Sequence, residues 1–509
     1  MRSLPFRPWM ALALLGCADR AADDSAETCA PLTLTPAQDW DEGALLEGPP
    51  PPDGDAGVAL GDLDGDGWLD ALIVTPEGSL LLLNDGAGAL DEAGSRPPAA
   101  SGVALGDVDG DGDLDAWLGR RSGLDDLLLR NDGQGGFAAE ALPASTGESY
   151  SGSFADVDGD GDLDLFVARY APEVDPARIV DGTLTGDGNA LYRNAGGALA
   201  PDPEALPAEV VDDVTFLGQW IDADADGDLD LYLANDFGPF LGRNRLLRND
   251  GAGRFTVDDD CRCDRAMFAM GVGVGDADGD GIADLYLTDL AGPDLLLGAP
   301  DGGFVEATAA LEAGVPNAPE HLASWGTAFV DLDLDGWEDL PMVFGPLFPH
   351  GDPDGLADLG SDYDDWIDGE AQADVLLRAV GGQRFEDVSQ ATGFHHDAKG
   401  RALAVGDLDR DGRPDLVTAG LWYARAWRTE GGCGRSVTVQ VDAPGAWIEA
   451  EVGGRTLHRW LTPASTWSSS AMEVVIGLGD AEVVDALRVH AGGETAEWTE
   501  VEAGAVLQP

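Results

Sequence analysis

The sequence predicts an all-β chain: a seven-bladed β-propeller followed by a small C-terminal β domain. Three observations predict it. A nine-residue aspartate pattern occurs seven times, short apolar strands flank every copy, and the pattern stops near residue 432 with a shift in composition.

The pattern is D-x-D-x-D-G-x-x-D. Its copies start at Asp62, Asp107, Asp156, Asp222, Asp276, Asp331 and Asp407, so the intervals are 45, 49, 66, 54, 55 and 76 residues. A Gly-rich apolar segment precedes each copy, such as GVALGD or GVGVGD. A second strand follows it, such as DALIVT or DLYLAND. A third apolar run then ends in a turn, as in LLLRNDGQGGF and RLLRNDGAGRF. Asn-Asp-Gly after an apolar run is a hairpin signal. Four short strands per repeat of this length is the composition of a propeller blade, and seven repeats give seven blades over residues 51–432.

The chain has 509 residues with 28 Lys+Arg against 96 Asp+Glu, a formal charge of −68. Phosphate binding needs clustered cations, so nucleic acid is excluded as a partner, and direct docking on an anionic lipid surface is disfavoured. With 44% hydrophobic residues this is not an acidic disordered chain. The 71 Gly and 30 Pro suit short strands joined by tight turns.

Residues 1–16 read as a signal peptide. Arg2 and Arg7 precede an apolar stretch, Trp9 to Leu15, that is too short to span a bilayer. Leu14-Leu15-Gly16-Cys17 resembles a bacterial lipobox, which makes Cys17 the lipidated residue. The expectation is an exported envelope lipoprotein, in the outer membrane, held by its lipid anchor only. Residues 17–50 form the lipidated Cys and tether, in which 29–40 can supply the outer strand of the last blade.

The aspartates at positions 1, 3, 5 and 9 are the candidate metal ligands. They are Asp62, Asp64, Asp66 and Asp70; Asp107, Asp109, Asp111 and Asp115; Asp156, Asp158, Asp160 and Asp164; and Asp222, Asp224, Asp226 and Asp230. The remaining three sets are Asp276, Asp278, Asp280 and Asp284; Asp331, Asp333, Asp335 and Asp339; and Asp407, Asp409, Asp411 and Asp415. Carboxylates at 1, 3 and 5 converge as in an EF-hand loop, and the Gly at 6 permits the sharp turn. The residue at 7 can offer its carbonyl, and the Asp at 9 closes the shell. An all-oxygen set favours Ca²⁺ over Zn²⁺, so up to seven structural Ca²⁺ are expected. The competing reading is a metal-free Asx-turn, in which four converging carboxylates would repel one another. Leu334 and Arg410 at position 4 make the sixth and seventh loops the least regular.

These repeats resemble the FG-GAP/VCBS repeats of integrin-α-like propellers. The stretches Leu233–Phe255 (LANDFGPFLGRNRLLRNDGAGRF) and Ala269–Gly281 (AMGVGVGDADGDG) resemble the cartilage acidic protein family more closely. In that family the propeller is followed by an ASPIC/UnbV domain. Residues 433–509 are similar to it in EVGGRT (Glu451–Thr456), RWLTPASTWSSS (Arg459–Ser470) and VVIGLGDAEVVDALRVH (Val474–His490). The family's Gly-rich stretch before its second strand is here APGAWIEAEV, a departure from the pattern. The resemblance implies a cell-surface or matrix role in adhesion or ligand binding.

With Cys17 lipidated, Cys29, Cys261, Cys263 and Cys433 remain, and three connectivities are open. Cys29–Cys433 would staple the two ends of the ring, leaving Cys261–Cys263 as a local pair. The alternative for this C-x-C is a soft-metal site.

No recognisable catalytic signature surrounds the six His, so the expectation is a non-enzymatic binding protein, monomeric, with a protein or glycan ligand at the cell surface. The alternatives are an envelope enzyme acting on polysaccharide and a purely structural surface protein. The long intervals place insertions at about Ala171–Asp187 and Phe344–Asp374. The second carries His350, Tyr363 and Trp366 among many Asp, and is the candidate ligand loop for a sugar, a basic peptide or another Ca²⁺, the plain reading being a solvated loop.

Overall fold

The computed structural model describes residues 30–40, 56–290, 292–315, 323–346, 372–420, 423–432 and 434–509. The expectations for residues 1–29, for Cys17 and the Cys29–Cys433 bond, and for His350, Tyr363 and Trp366 lie outside the described residues. No helix among the described residues is long and apolar enough to cross a membrane.

Seven antiparallel four-strand blades form the body of the chain; six are meanders, and the seventh takes its outer strand from the N-terminal segment. Their inner strands are Gly57–Gly61, Gly102–Gly106, Ser149–Ala155, Thr215–Ile221, Gly271–Gly275, Ser324–Thr327 and Gly400–Gly406. Each inner strand touches the next, and Gly400–Gly406 touches Gly57–Gly61, so the ring is closed. The second strand of six blades starts at the ninth residue of an aspartate loop, for example Asp70–Thr75 and Asp230–Asn235, and that of the sixth one residue later, at Leu340. Every residue of those two strands is buried between neighbouring blades, which is why they read as unbroken apolar runs.

The last blade is assembled from both ends of the chain. Its three inner strands are Gly400–Gly406, Asp415–Gly420 and Tyr423–Gly432. Its outer strand is Ala30–Trp40, paired antiparallel from Ala30↔Gly432 to Trp40↔Ala424. Arg425 grips Asp39 through both guanidinium nitrogens across this seam.

The C-terminal domain packs a three-stranded sheet (Glu473–Gly479, Arg435–Gln440, Val506–Leu507) on a four-stranded one (Arg455–Trp460, Trp447–Val452, Val483–Ala491, Glu494–Glu502). Val437, Val439, Ile448, Ile476, Leu487 and Val489 fill its core.

One hairpin leaves this domain and enters the axis of the ring. Ala464–Ser465 pairs with Ser468–Ser469 around a two-residue turn, and Trp467 at the tip adopts φ 55°. The finger meets every blade. Ser469 pairs in parallel with Ala59, and Ser468–Ser469 lies against Gly102–Gly106. The Trp467 ring sits 5.9 Å from Tyr150, 5.9 Å from Phe216 and 5.4 Å from Trp325 between centroids. Thr466 Oγ1 donates to Met270 O, Ser465 Oγ to Thr327 O and Ser468 Oγ to Leu403 O. Gly is required opposite it: a Cβ on Gly57 would stand 2.3 Å from Trp467 O. The serines and threonines of the finger thus satisfy inner-strand carbonyls that an apolar plug would leave unpaired.

Candidate metal centres

Each aspartate loop links an inner strand to a second strand, so all seven lie on one face of the ring. The position-1 carboxylate folds the loop around itself. Asp62 accepts the amides of Gly65 and Gly67 at 2.8 Å each, and Asp107, Asp156 and Asp276 repeat the arrangement. Position 4 takes a left-handed conformation in every loop. Gly65, Gly110, Gly159 and Gly279 have φ of 71–78°, and Ala225, Leu334 and Arg410 hold the same conformation at 56–60°. The irregular residues of the sixth and seventh loops therefore leave the loop backbone unchanged. They carry the strain of a left-handed non-Gly residue, on the order of 1–2 kcal/mol each.

Carboxylate oxygens of positions 1, 3 and 5 converge to within 4.8 Å of one another in the first four loops: Asp62–Asp64–Asp66, Asp107–Asp109–Asp111, Asp156–Asp158–Asp160 and Asp222–Asp224–Asp226. In the fifth loop the converging set is Asp276, Asp278 and Asp284.

The position-9 aspartates do a second job that spacing does not reveal. Asp70, Asp115, Asp164, Asp230, Asp284, Asp339 and Asp415 are all 1–2% exposed. Each accepts a backbone amide from the third strand of its own blade, as in Asn84 N to Asp70 Oδ1 and Asn249 N to Asp230 Oδ1. Five also accept the amide of loop position 2, the Leu63 to Asp70 bond being 2.9 Å. The residue is a latch between loop and sheet as well as a candidate ligand.

The electrostatics of the bare loops are unfavourable. Burial pushes Asp70 up to about 7 and Asp407 to about 7; burial with its like-charged neighbours Asp335 and Asp333 takes Asp331 to about 8. Asp158 Oδ1 and Asp333 Oδ1, both at position 3, are buried without a hydrogen-bond partner. Hard oxygens in convergence, two of them orphaned, fit a cation of the Ca²⁺ class.

Arginine and asparagine side chains that sequence reading passed over join the loops into a ring. Arg130, Arg193, Arg248 and Arg428 precede the hairpin turns. Each pairs with the position-9 Asp of its own loop and reaches a turn carbonyl of the next blade, as in Arg193 to Gly253 O and Arg428 to Gly88 O. The next residue, where it is Asn, points backwards. Asn84, Asn131, Asn194 and Asn249 donate to the position-2 carbonyls of the preceding blade's loop, Leu408, Leu63, Val108 and Val157. The signal was present in the repeated Arg-Asn before Asp-Gly, read only as a turn. Blades five, six and seven carry Gly298, Ala379 and Thr429 there instead.

The C-terminal domain takes over at those seams. Glu338 stands at position 8 of the sixth loop, where the first four loops have Leu. It accepts the Asp276 amide of the fifth loop at 3.0 Å and lies 3.5 Å from Arg459 of the C-terminal domain. Arg459 Nη2 also donates to Gly336 O at 3.2 Å and lies 3.8 Å from Asp331. Gly479 N donates to Leu334 O, Ser436 Oγ to Gly412 O, and Glu473 accepts the Asp407 amide.

Cys261 and Cys263 form a disulfide, buried at 2% and 0% exposure beside Tyr232, whose hydroxyl donates to Cys263 O.

Three segments, 62–118, 117–167 and 222–287, match the FG-GAP-like repeat, and residues 437–508 match the ASPIC and UnbV domain. The chain thus carries FG-GAP-like repeats followed by an ASPIC and UnbV domain. No curated protein matches the sequence. Among solved structures, it is similar to an Agrocybe aegerita lectin described as recognising non-reducing terminal N-acetylglucosamine, at 16% identity and TM-score 0.41, over 87% of this chain and 100% of that one. A Lactobacillus plantarum protein is similar at 10% identity and TM-score 0.39, over 83% and 99%. A V. cholerae biofilm matrix protein follows at 12% identity and TM-score 0.32, over 94% and 85%. Likeness this distant bears on no functional question.

Proposed function

We propose that this protein is a Ca²⁺-binding, lipid-anchored protein of the cell envelope that acts as a non-enzymatic binding module. The observation that carries the reading is the repetition of one all-oxygen loop around a single face. Asp residues at positions 1, 3, 5 and 9 would hold the ions, which add to the single Arg charge that reaches positions 3 and 9 in four of the loops.

The opposite face is the one for a ligand. Second-to-third strand connections all emerge there, including residues 170–189 with the helix Pro176–Val180 and residues 236–244. Leu124 and Val180 are 48% and 58% exposed on it. Arg121 lies over the Tyr150 ring at 4.5 Å. The second strand of the sixth blade, Leu340–Phe344, ends and its third, Val375–Val380, begins on this same face. A protein or glycan would meet this rim, with the chain anchored at Cys17 in the outer membrane and acting as a monomer.

The test is metal content and thermal melting of the soluble chain from residue 18, with Ca²⁺ and with chelator. Close to seven ions per chain and a large fall in Tm on chelation support the reading. An unchanged melt with no bound ion overturns it.

A further inference from the structure

The seven loops fall into two sets by what covers their first carboxylate. Asp62, Asp107, Asp156 and Asp222 are partly exposed, whereas Asp276, Asp331 and Asp407 are buried. In the second set the C-terminal domain sits on the loops themselves. His458 Nδ1 is 3.6 Å from Asp276 Oδ2, and its ring lies against Gly281, where a Cβ would come within 2.6 Å of it. Arg455 lies over the Trp337 ring at 4.3 Å and, with Arg459, donates to Gly336 O. Gly479 N holds Leu334 O at 2.8 Å, and Ser436 Oγ holds Gly412 O at 2.6 Å. The domain reads the backbone of loops five, six and seven in their wrapped form.

That wrapped form is also the one in which Asp276, Asp331 and Asp407 receive amides of their own loops. We infer that docking of the C-terminal domain, and with it the Trp467 finger, is thermodynamically linked to divalent-cation occupancy of loops five, six and seven. The inference rests on the Ca²⁺ reading above. Its physical basis is that buried like charges must be neutralised or must separate, and separating them unwraps the backbone that the domain grips. Loops one to four carry no such link, because their first carboxylates are partly exposed and their charge is met by solvent. Linkage is reciprocal, so the domain must in turn raise cation affinity at the loops it covers.

Hydrogen exchange at the finger amides, residues 464–471, tests this on the soluble chain from residue 18. With Ca²⁺ the finger should be protected. With chelator its exchange should accelerate on the order of 100-fold while the inner strands of blades two to four stay protected. Asp331→Asn with Asp333→Asn, which removes like charges from the sixth loop, should restore much of the finger's protection in chelator, and Asp107→Asn with Asp109→Asn should not. Trp467→Ala, which loosens the docked finger without changing the charge at any loop, should weaken Ca²⁺ binding at part of the sites by about tenfold, with Ser468→Ala as the milder variant should the first fail to fold. Bound Ca²⁺ with a finger equally protected in chelator, or a loop-two variant that protects it in chelator as the loop-six variant does, overturns the linkage alone. A chain that binds no Ca²⁺ overturns the linkage and the reading beneath it together.

Discussion

Trp467 of the C-terminal domain stacks on Trp325 of the sixth blade, with planes 23° apart and ring centroids separated by 5.4 Å. Two parts of the chain that occupy separate stretches of sequence thus share one aromatic core at the axis of the ring. Beside that pair stand Tyr150 and Phe216, contributed by the third and fourth blades.

Trp467→Ala empties the centre of the ring. Trp467 is 2% exposed, and truncation of a buried Trp costs about 3–5 kcal/mol. Calorimetry should show a clear fall in Tm. An unchanged Tm would mean that the finger fills the channel without supporting it.

Asn249→Ala breaks the clasp between the third and fourth blades. Its Nδ2 donates to Val157 O at 2.8 Å and to Leu229 O, and its Oδ1 accepts the amides of Gly251 and Gly253. Leaving buried carbonyls unpaired costs about 1–3 kcal/mol. A chemical-denaturation midpoint equal to the wild type's would remove the clasp from the stability account.

Asp230 and Asp226 separate the latch from the ligand. Asp230 is 2% exposed and pairs with Arg248 at 2.6 Å, while Asp226 is exposed. In chelator, Asp230→Ala should destabilise the chain by up to about 3–5 kcal/mol, the cost of breaking a buried pair. Asp226→Ala should leave the cation-free stability near wild type, because only its role toward an ion is lost. Equal effects on unfolding would contradict the division of labour.

Stability should respond to pH in opposite ways with and without Ca²⁺. Asp70, Asp407 and Asp415 are pushed up by burial to about 7, and Asp331 to about 8, from an ordinary 3.8. The cation-free folded state therefore binds more protons than the unfolded state between pH 3.8 and about 8, so its stability falls as pH rises through that window. With Ca²⁺ the same groups act as anionic ligands, and lowering the pH displaces the ion. Melting curves at pH 5 and pH 8 should show a higher Tm at pH 5 in chelator and the reverse order in Ca²⁺.

The repeated loop was legible because its chemistry is local: nine residues contain the ligands, the turn and the start of the next strand. The latch role of Asp230 was not, because its partner amide, Asn249, lies in another strand. The Asn clasps were half legible. Arg-Asn-Asp-Gly announces a turn, and nothing in it tells that Asn249 reaches across to Val157. The finger was least legible of all. TPASTWSSS has the composition of a surface loop, and it is buried only because seven inner strands, drawn from most of the chain, surround it. Glu338 offered the one written clue, an acid at a position that Leu114, Leu163 and Leu229 fill in the regular loops.

The strand Ala30–Trp40 is paired with Tyr423–Gly432, almost four hundred residues away. During synthesis it emerges before every blade and is satisfied after all of them. Until the last blade is made, its hydrogen-bonding edge stays open, a template for wrong partners. Closing so long a loop is slow by topology alone, so completion of the ring, not formation of single blades, should set the pace of folding.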